Sequence, residues 1–253
     1  MANGVISIER ILEKLDAHLH KNDYVSAERH LLYWLSESRA SSDHRAQMLV
    51  LNELMGLYRK LGRKDEALAR VSEALACIDE LGIAEQVGAA TTFLNCATVY
   101  KAFGEPSESI RLFGIAEAIY KRELSPDDER FGGLYNNMAL TLVDLGRFEE
   151  ANGAYCRALD VMQRQAGGEL EVAITYLNMA SAAEARLGLL DADEMINAYL
   201  DKAEAILEAF ENRDGYYAFV CEKCASVFEY YGRFFYANEI SERARRIYAG
   251  EGN

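Results

Sequence analysis

The chain has 253 residues and is 50% hydrophobic, which is enough apolar material for a packed core. Its two prolines argue against a β-sandwich, a barrel or a disordered linker and favour helices. A formal net charge of −14 repels phosphate backbones, and no run reaches the roughly 18 apolar residues of a membrane span, so we expect neither nucleic acid nor a membrane as a partner.

A period of 42 residues, marked by glycine, runs through the chain. Small residues follow five and twelve positions after the first three of these glycines. A glycine in a left-handed conformation closes a helix, and small residues seven positions apart share one face of the next helix. Each period therefore predicts two antiparallel helices that pack closely. The glycines are Gly62, Gly104, Gly146, Gly188 and, 44 residues later, Gly232; the small residues are Ala67, Ser109, Ala151, Ala74, Ala116 and Ala158.

Six such helix pairs are predicted in chain order, at about 5–41, 42–83, 84–124, 125–167, 168–212 and 213–250. The first pair has Asn22 where the others have the turn glycine. The fifth is irregular, because the segment "LLDADEM", residues 189–195, inserts about three residues before its second helix. Pro106 and Pro126 are each predicted to open a helix, since proline is favoured in the first turn.

The segments "LNELMGLYRKLGRKDEALARVSEAL" and "YNNMALTLVDLGRFEEANGAYCRAL" carry a large residue, an aromatic, a turn glycine and alanines in the same order. This pattern resembles the tetratricopeptide repeat. The 42-residue period and the "NNMA" box are most similar to the repeats of kinesin light chain and its bacterial relatives. The resemblance implies an all-α fold: a right-handed superhelical solenoid of about six helix–turn–helix repeats and about twelve helices. It also implies that residues 1–253 form a single solenoid domain.

Three asparagines lie on the side of the first helices that faces away from the apolar stripe. Asn95, Asn137 and Asn178 are spaced by 42 and then 41 residues. Asparagine is neutral to unfavourable inside a helix, so we expect something other than helix stability to explain them. The resemblance places this face on the inner, concave wall of a solenoid. There, a primary amide can bond both the N–H and the C=O of an extended peptide.

The predicted peptide-binding groove combines these amides with neighbouring apolar pockets and with basic side chains that read charge. The alternative is that the asparagines bond neighbouring helices or face water. The groove residues are Asn52, Arg59, Leu94, Asn95, Thr98, Lys101, Asn136, Asn137, Leu140, Val143, Ile174, Leu177, Asn178, Ser181, Phe219 and Lys223.

These features predict a non-catalytic adaptor that binds an extended peptide or disordered segment of another protein. No catalytic constellation is present, and no cofactor or metal is expected. One alternative is a structural or oligomerising scaffold, for which the aromatic run Phe234–Tyr236 could form a contact; we expect a monomer or a weak homodimer. Another is a peptide-pheromone-type sensor that lacks a DNA-binding domain.

The motif "CEKC", formed by Cys221 and Cys224, could suggest zinc or redox chemistry. Zinc needs four ligands, and the repeat register instead assigns both thiols to core positions of the sixth pair's first helix. Five cysteines, an odd number, make a disulfide framework unfavourable. The start "MANGVISIER" lacks the basic and apolar parts of a signal peptide, so a cytoplasmic location is expected.

Overall fold

The structure, a computed structural model, describes residues 7–250, which form twelve α-helices and no strand. The chain divides into two compact units, Met1–Leu124 and Ser125–Asn253. Their boundary coincides with the predicted boundary between the third and fourth pairs. The number and class of elements agree with the prediction, whereas a single domain over 1–253 stays a prediction.

Unit 1, Met1–Leu124, contains three helix pairs within its described residues. Small side chains at the pair interface let the two helices of a pair approach closely: Ala67, Ala74 and Ala116 are fully buried. The first helices of the second and third pairs also pack on each other, α3 against α5. The helices are α1 (Ile8–Leu19), α2 (Tyr24–Ala40), α3 (His44–Lys60), α4 (Lys64–Leu81), α5 (Val87–Ala102) and α6 (Pro106–Glu123).

Unit 2, Ser125–Asn253, has the same arrangement of three pairs in its described part. Its first helices pack in a row, α7 against α9 and α9 against α11, so α9 has a first-helix neighbour on both sides. The helices are α7 (Arg130–Asp144), α8 (Phe148–Met162), α9 (Glu169–Leu187), α10 (Asp193–Ala209), α11 (Gly215–Tyr230) and α12 (Phe234–Tyr248).

The turn inside most pairs uses a residue with positive φ, as the glycine register predicts. Gly62 has φ 68°, and the next amide, of Arg63, donates to the Tyr58 carbonyl at 2.9 Å, which satisfies a carbonyl at the helix end. Asn22 adopts φ 53° in the first pair and replaces the glycine there. Asparagine tolerates this conformation better than other non-glycine residues do.

The two prolines behave differently. Pro106 is the first residue of α6, as predicted. The prediction that Pro126 opens a helix is wrong, because Pro126 lies in a turn and α7 begins at Arg130. The Asp128 carboxylate accepts from the Arg130 amide at 3.1 Å, so an acidic side chain two residues after the proline satisfies the first amide of this helix.

Candidate functional site

The asparagines of unit 1 form a hydrogen-bonded pair between two first helices. The side-chain amide of Asn95 on α5 donates to the Asn52 Oδ1 on α3 at 3.0 Å. The Asn52 amide donates in turn to the Thr92 hydroxyl at 3.1 Å and to the Met48 carbonyl at 3.0 Å. Asn52 is therefore held by its own helix and by α5, and it fixes Asn95 in place.

Unit 2 repeats this arrangement with residues 83 or 84 positions further along the chain. The Asn178 amide on α9 donates to the Asn136 Oδ1 on α7 at 3.1 Å. The Thr175 hydroxyl lies 3.4 Å from the same oxygen and donates more closely, at 2.8 Å, to the Glu171 carbonyl. Sequence reasoning missed Thr92 and Thr175, although their 83-residue spacing matches that between Asn95 and Asn178.

The three predicted amides keep part of their hydrogen-bonding capacity. Asn95 and Asn178 each donate to the preceding first helix, and Asn137 donates to the Gly133 carbonyl of its own helix at 2.8 Å. A primary amide has two N–H groups and an acceptor oxygen. Within residues 7–250, the side chain of each of the three amides therefore keeps one N–H and its carbonyl oxygen for another molecule, and all three are half-buried.

The apolar residues predicted to flank the amides fall into two classes. Leu94, Leu140 and Val143 are half-buried and remain accessible. The prediction that Ile174 and Leu177 form accessible pockets is wrong, because their side chains are 4% and 3% exposed and belong to the core of unit 2. The reason is that α9 packs against first helices on both sides, which covers a wider arc of its surface. Asn136, 6% exposed, is also buried and acts as the partner of Asn178.

The other predicted residues lie on the same first helices. Phe219 on α11 is 50% exposed and stacks on Tyr216, with ring centroids 6.3 Å apart. Arg59 and Lys223 are exposed, and Lys101 is half-buried. The hydroxyls of Thr98 and Ser181 donate to carbonyls within their own helices.

The predicted residues that are not apolar core residues define two surfaces, one in each unit. The amide face of unit 1 consists of Asn52, Arg59, Leu94, Asn95, Thr98 and Lys101. The amide face of unit 2 consists of Asn136, Asn137, Leu140, Val143, Asn178, Ser181, Phe219 and Lys223.

Glu53 occupies in α3 the position that asparagine holds in α5, α7 and α9. Burial, reinforced by the carboxylate of Asp16, raises the pKa of Glu53 above its ordinary value. A carboxyl group whose pKa is raised by folding binds its proton more tightly in the folded state. The protonated carboxyl group therefore favours the folded state. This stabilisation is lost as the pH rises from the unfolded-state pKa through the folded-state pKa, because the ionised carboxylate is less well tolerated in the buried position.

We therefore expect Glu53→Gln to raise the melting temperature at pH 7 by about 2–4 °C, which corresponds to about 1 kcal/mol. The gain should shrink as the pH falls toward about 4.3, the ordinary glutamate pKa. Thermal unfolding followed by circular dichroism across this range measures the effect, with the exposed Glu80→Gln on α4 as the control. A gain of the same size at every pH would contradict it.

Cys221 and Cys224 lie in the core, 0% and 1% exposed, as the repeat register predicts. Burial raises the pKa of both thiols, that of Cys224 to about 12, so both are protonated near neutral pH. Residues 7–250 contain no cluster of three or more His, Cys, Asp or Glu side chains that could hold a metal ion. In the same part of the chain, no helix is long and apolar enough to cross a membrane.

Two solved structures resemble the chain over most of its length. BtubC (BKLC) from P. vanneervenii matches with a TM-score of 0.59 and 22% identity, over 92% of each chain. The nearly identical TPR-like repeats of a candidate kinesin light chain from Podosopora anserina match with a TM-score of 0.55 and 17% identity, over 81% of this chain and 96% of that one. No protein-family model and no curated protein sequence matches. The chain therefore has the fold of a tetratricopeptide-like repeat solenoid, as the resemblance of its sequence repeats implies.

Proposed function

We propose that the chain is a non-catalytic, cytoplasmic protein-interaction module and that it binds an extended peptide or disordered segment of another protein on its amide faces. The repeat fold supports the general role, because stacked helix pairs create long surfaces suited to binding other chains. The proposal includes neither nucleic acid nor a membrane, which the net charge of −14 and the lack of a long apolar run disfavour.

The proposal rests on one observation, which is that the asparagine side-chain amides use only part of their hydrogen-bonding capacity. One N–H of Asn137 and one of Asn178 is fixed by hydrogen bonds, while the other N–H and the oxygen stay available. An amide held in this way loses little side-chain entropy when it binds a peptide backbone. Each bond to a partner contributes about 0.5–1.5 kcal/mol, and backbone recognition of this kind does not depend on the peptide's sequence.

Specificity would come from the side chains beside the amides. On the amide face of unit 2, Leu140 and Val143 offer half-buried apolar surface, and Phe219 offers an exposed ring. The carboxylate of Glu184, on α9 beside this face, accepts from the Tyr230 and Tyr231 hydroxyls at 2.8 and 2.7 Å. A partner segment with apolar side chains and few acids fits this surface better than an acidic one does.

Peptides selected from a random dodecapeptide display library against the full chain test the proposal. Their dissociation constants are measured by fluorescence polarisation for the wild type and for Leu140→Glu. We expect Leu140→Glu to weaken binding at least about tenfold, or about 1.4 kcal/mol, because it places a charge in an apolar contact. The control is Leu159→Glu, which changes a half-buried leucine on α8 of the same pair. Equal effects of the two variants, with helicity retained, would contradict the proposal.

A scaffold that self-associates is the second candidate, and exposed aromatic rings favour it. Phe234 and Phe235, at the start of α12, are 58% and 95% exposed, and Tyr230 is 68% exposed. Contiguous apolar surface of this kind commonly marks an interface. Light scattering over a range of concentrations distinguishes the candidates, since a scaffold dimer would be disrupted by Phe235→Ser and a monomeric adaptor would be unaffected.

A further inference from the structure

The turn of the fifth helix pair differs from the other turns of the chain. In the second, third, fourth and sixth pairs, the second helix begins two residues after the turn glycine. After Gly188, by contrast, the second helix begins five residues after the glycine, at Asp193, the first residue of α10. The three additional residues include two adjacent leucines in place of the charged residue that follows the other glycines.

This insert presents apolar side chains to solvent. Leu189 is 51% exposed and Leu190 is 90% exposed, while Ala192 is fully buried and attaches the insert to the core. Leu187 and Met195, at its two ends, are 42% and 46% exposed. Single exposed apolar residues are common, but here four lie within nine positions of the chain, and we call these four residues the patch. Such a concentration of exposed apolar side chains is typical of a surface that another molecule covers.

The patch borders a cavity of about 70 Å³ between α8, α9 and α10. Leu187 and Met195 belong both to the patch and to the cavity wall, and alanines on α8 and α9 leave the space open. A cavity of this size holds more than one water molecule, which makes it large enough to admit part of an apolar side chain. The other large residues of its wall are Phe148, Tyr155, Met179 and Tyr199.

Tyr155 supplies an independent sign that something binds here. Its side chain is 1% exposed, and its hydroxyl has no hydrogen-bond partner in the described part of the chain. Burial raises the pKa of Tyr155, so the hydroxyl is protonated and able to donate. Leaving a buried hydroxyl without a partner is costly. An occupant of the cavity that carries an acceptor atom would supply the missing partner.

Three acidic residues immediately precede Met195 of the cavity wall, one in the insert and two in the first turn of α10. Asp191, Asp193 and Glu194 make no ion pair within residues 7–250. Arg186, the basic residue of the cavity wall, is paired with Glu149 at 2.6 Å. Lys202 lies over the Tyr199 ring, 5.7 Å from its centroid. A basic partner would be attracted to these carboxylates, whereas a second copy of this chain would bring the same acidic segment against itself.

We propose that this cavity and the patch around it form a second docking site, separate from the amide faces. The occupant is a lysine- or arginine-rich segment of another protein that inserts one large apolar side chain. That side chain fills the cavity beside Met179 and Met195. A carbonyl oxygen of the segment accepts from the Tyr155 hydroxyl, and its basic residues pair with Asp191, Asp193 and Glu194.

This site is tested by titrating the full chain with synthetic peptides of known sequence. The NMR signals of the methionine methyl groups are followed during the titration. The probe is a synthetic dodecapeptide with a central leucine, flanked on both sides by lysines and by serine–glycine spacers. We expect the methyl signals of Met179 and Met195 to shift on titration while that of the fully buried Met55 does not. Peptides with a central alanine, or with glutamate in place of lysine, should bind at least about tenfold more weakly.

Three variants identify the contacts. Ala182→Leu fills the cavity and should weaken binding at least about tenfold, whereas Ala185→Leu, the same change at an exposed position of α9, should leave it unchanged. Tyr155→Phe removes only the hydroxyl and should weaken binding several-fold. A variant with Asp191→Asn, Asp193→Asn and Glu194→Gln leaves the cavity intact and should weaken binding of the lysine peptide and remove most of its salt dependence.

Three results would overturn the proposal. The first is the absence of Met179 and Met195 shifts up to about 1 mM peptide, the range of the weakest specific complexes. The second is equal binding by the Ala182→Leu and Ala185→Leu variants. The third is a dimer, detected by light scattering, that Ala182→Leu abolishes, since a second copy would then be the occupant.

Discussion

Replacing Asn137 and Asn178 together with alanine should weaken binding of a peptide selected on the amide face of unit 2 by about 5- to 150-fold, or about 1–3 kcal/mol. The loss follows from the removal of the N–H and the oxygen that each amide keeps for a partner. Fluorescence polarisation measures it, and circular dichroism checks that helicity is retained.

The two asparagines should differ in their effect on stability. Asn137 bonds only the Gly133 carbonyl of its own helix, and alanine is the better helix former, so Asn137→Ala should leave the melting temperature unchanged or slightly higher. Asn178→Ala removes a bond to the buried Asn136 and should destabilise unit 2 by about 1 kcal/mol. Asn137→Ala therefore separates recognition from folding.

The matched control removes two amides from second helices. Asn152 on α8 and Asn238 on α12 are both exposed. The Asn152→Ala and Asn238→Ala double variant should bind the same peptide as the wild type does. Equal losses in the two double variants would mean that the amide face is not the peptide site.

Replacing Gly168 with alanine should destabilise unit 2 by about 3 kcal/mol, the upper end of the range for overpacked sites. Gly168 is buried immediately before α9, and a Cβ there would lie 2.1 Å from the Met162 carbonyl oxygen and 3.2 Å from that of Gln165. Both contacts are to backbone, so neither can be relieved by a change of rotamer. The start of α9 would have to move, and the same helix carries Thr175 and Asn178.

Urea denaturation of the full chain measures this effect as a lower midpoint. Gly153→Ala is the matched control, because Gly153 is exposed within α8 and a Cβ there meets no atom within 4 Å. Alanine exceeds glycine in helix propensity by about 1 kcal/mol, so the control should raise the midpoint. A Gly168→Ala protein with an unchanged midpoint would contradict the packing described for the start of α9.

The helix pairs could be predicted from the sequence because each depends on local signals that recur. A glycine such as Gly62 closes a turn by its own backbone conformation, and alanines such as Ala67 and Ala74 mark the face that meets the pair partner. Both signals lie within a few residues of the structure they determine. Pro126 is an exception: it lies in a turn, and α7 begins only at Arg130, whose amide donates to the Asp128 carboxylate.

The candidate site was only partly predictable because it depends on how neighbouring first helices are aligned. The pattern of one helix shows which way Asn95 points, but not that Asn52 on α3 lies within 3.0 Å of it. Ile174 and Leu177 look accessible on α9 alone, yet helices on both sides bury them. The insert after Gly188 was visible as extra length, whereas the exposure of Leu190 beside a cavity was not.

Side-chain amide NMR tests the central claim, that the asparagine amides of the first helices bind the peptide, most directly. The full chain is labelled with ¹⁵N only at asparagine and titrated with a selected peptide. We predict that the side-chain signals of Asn137 and Asn178 move, while those of Asn152, Asn197 and Asn238 on second helices stay in place. Movement of the second-helix signals, with Asn137 and Asn178 unchanged at saturation, would contradict the account.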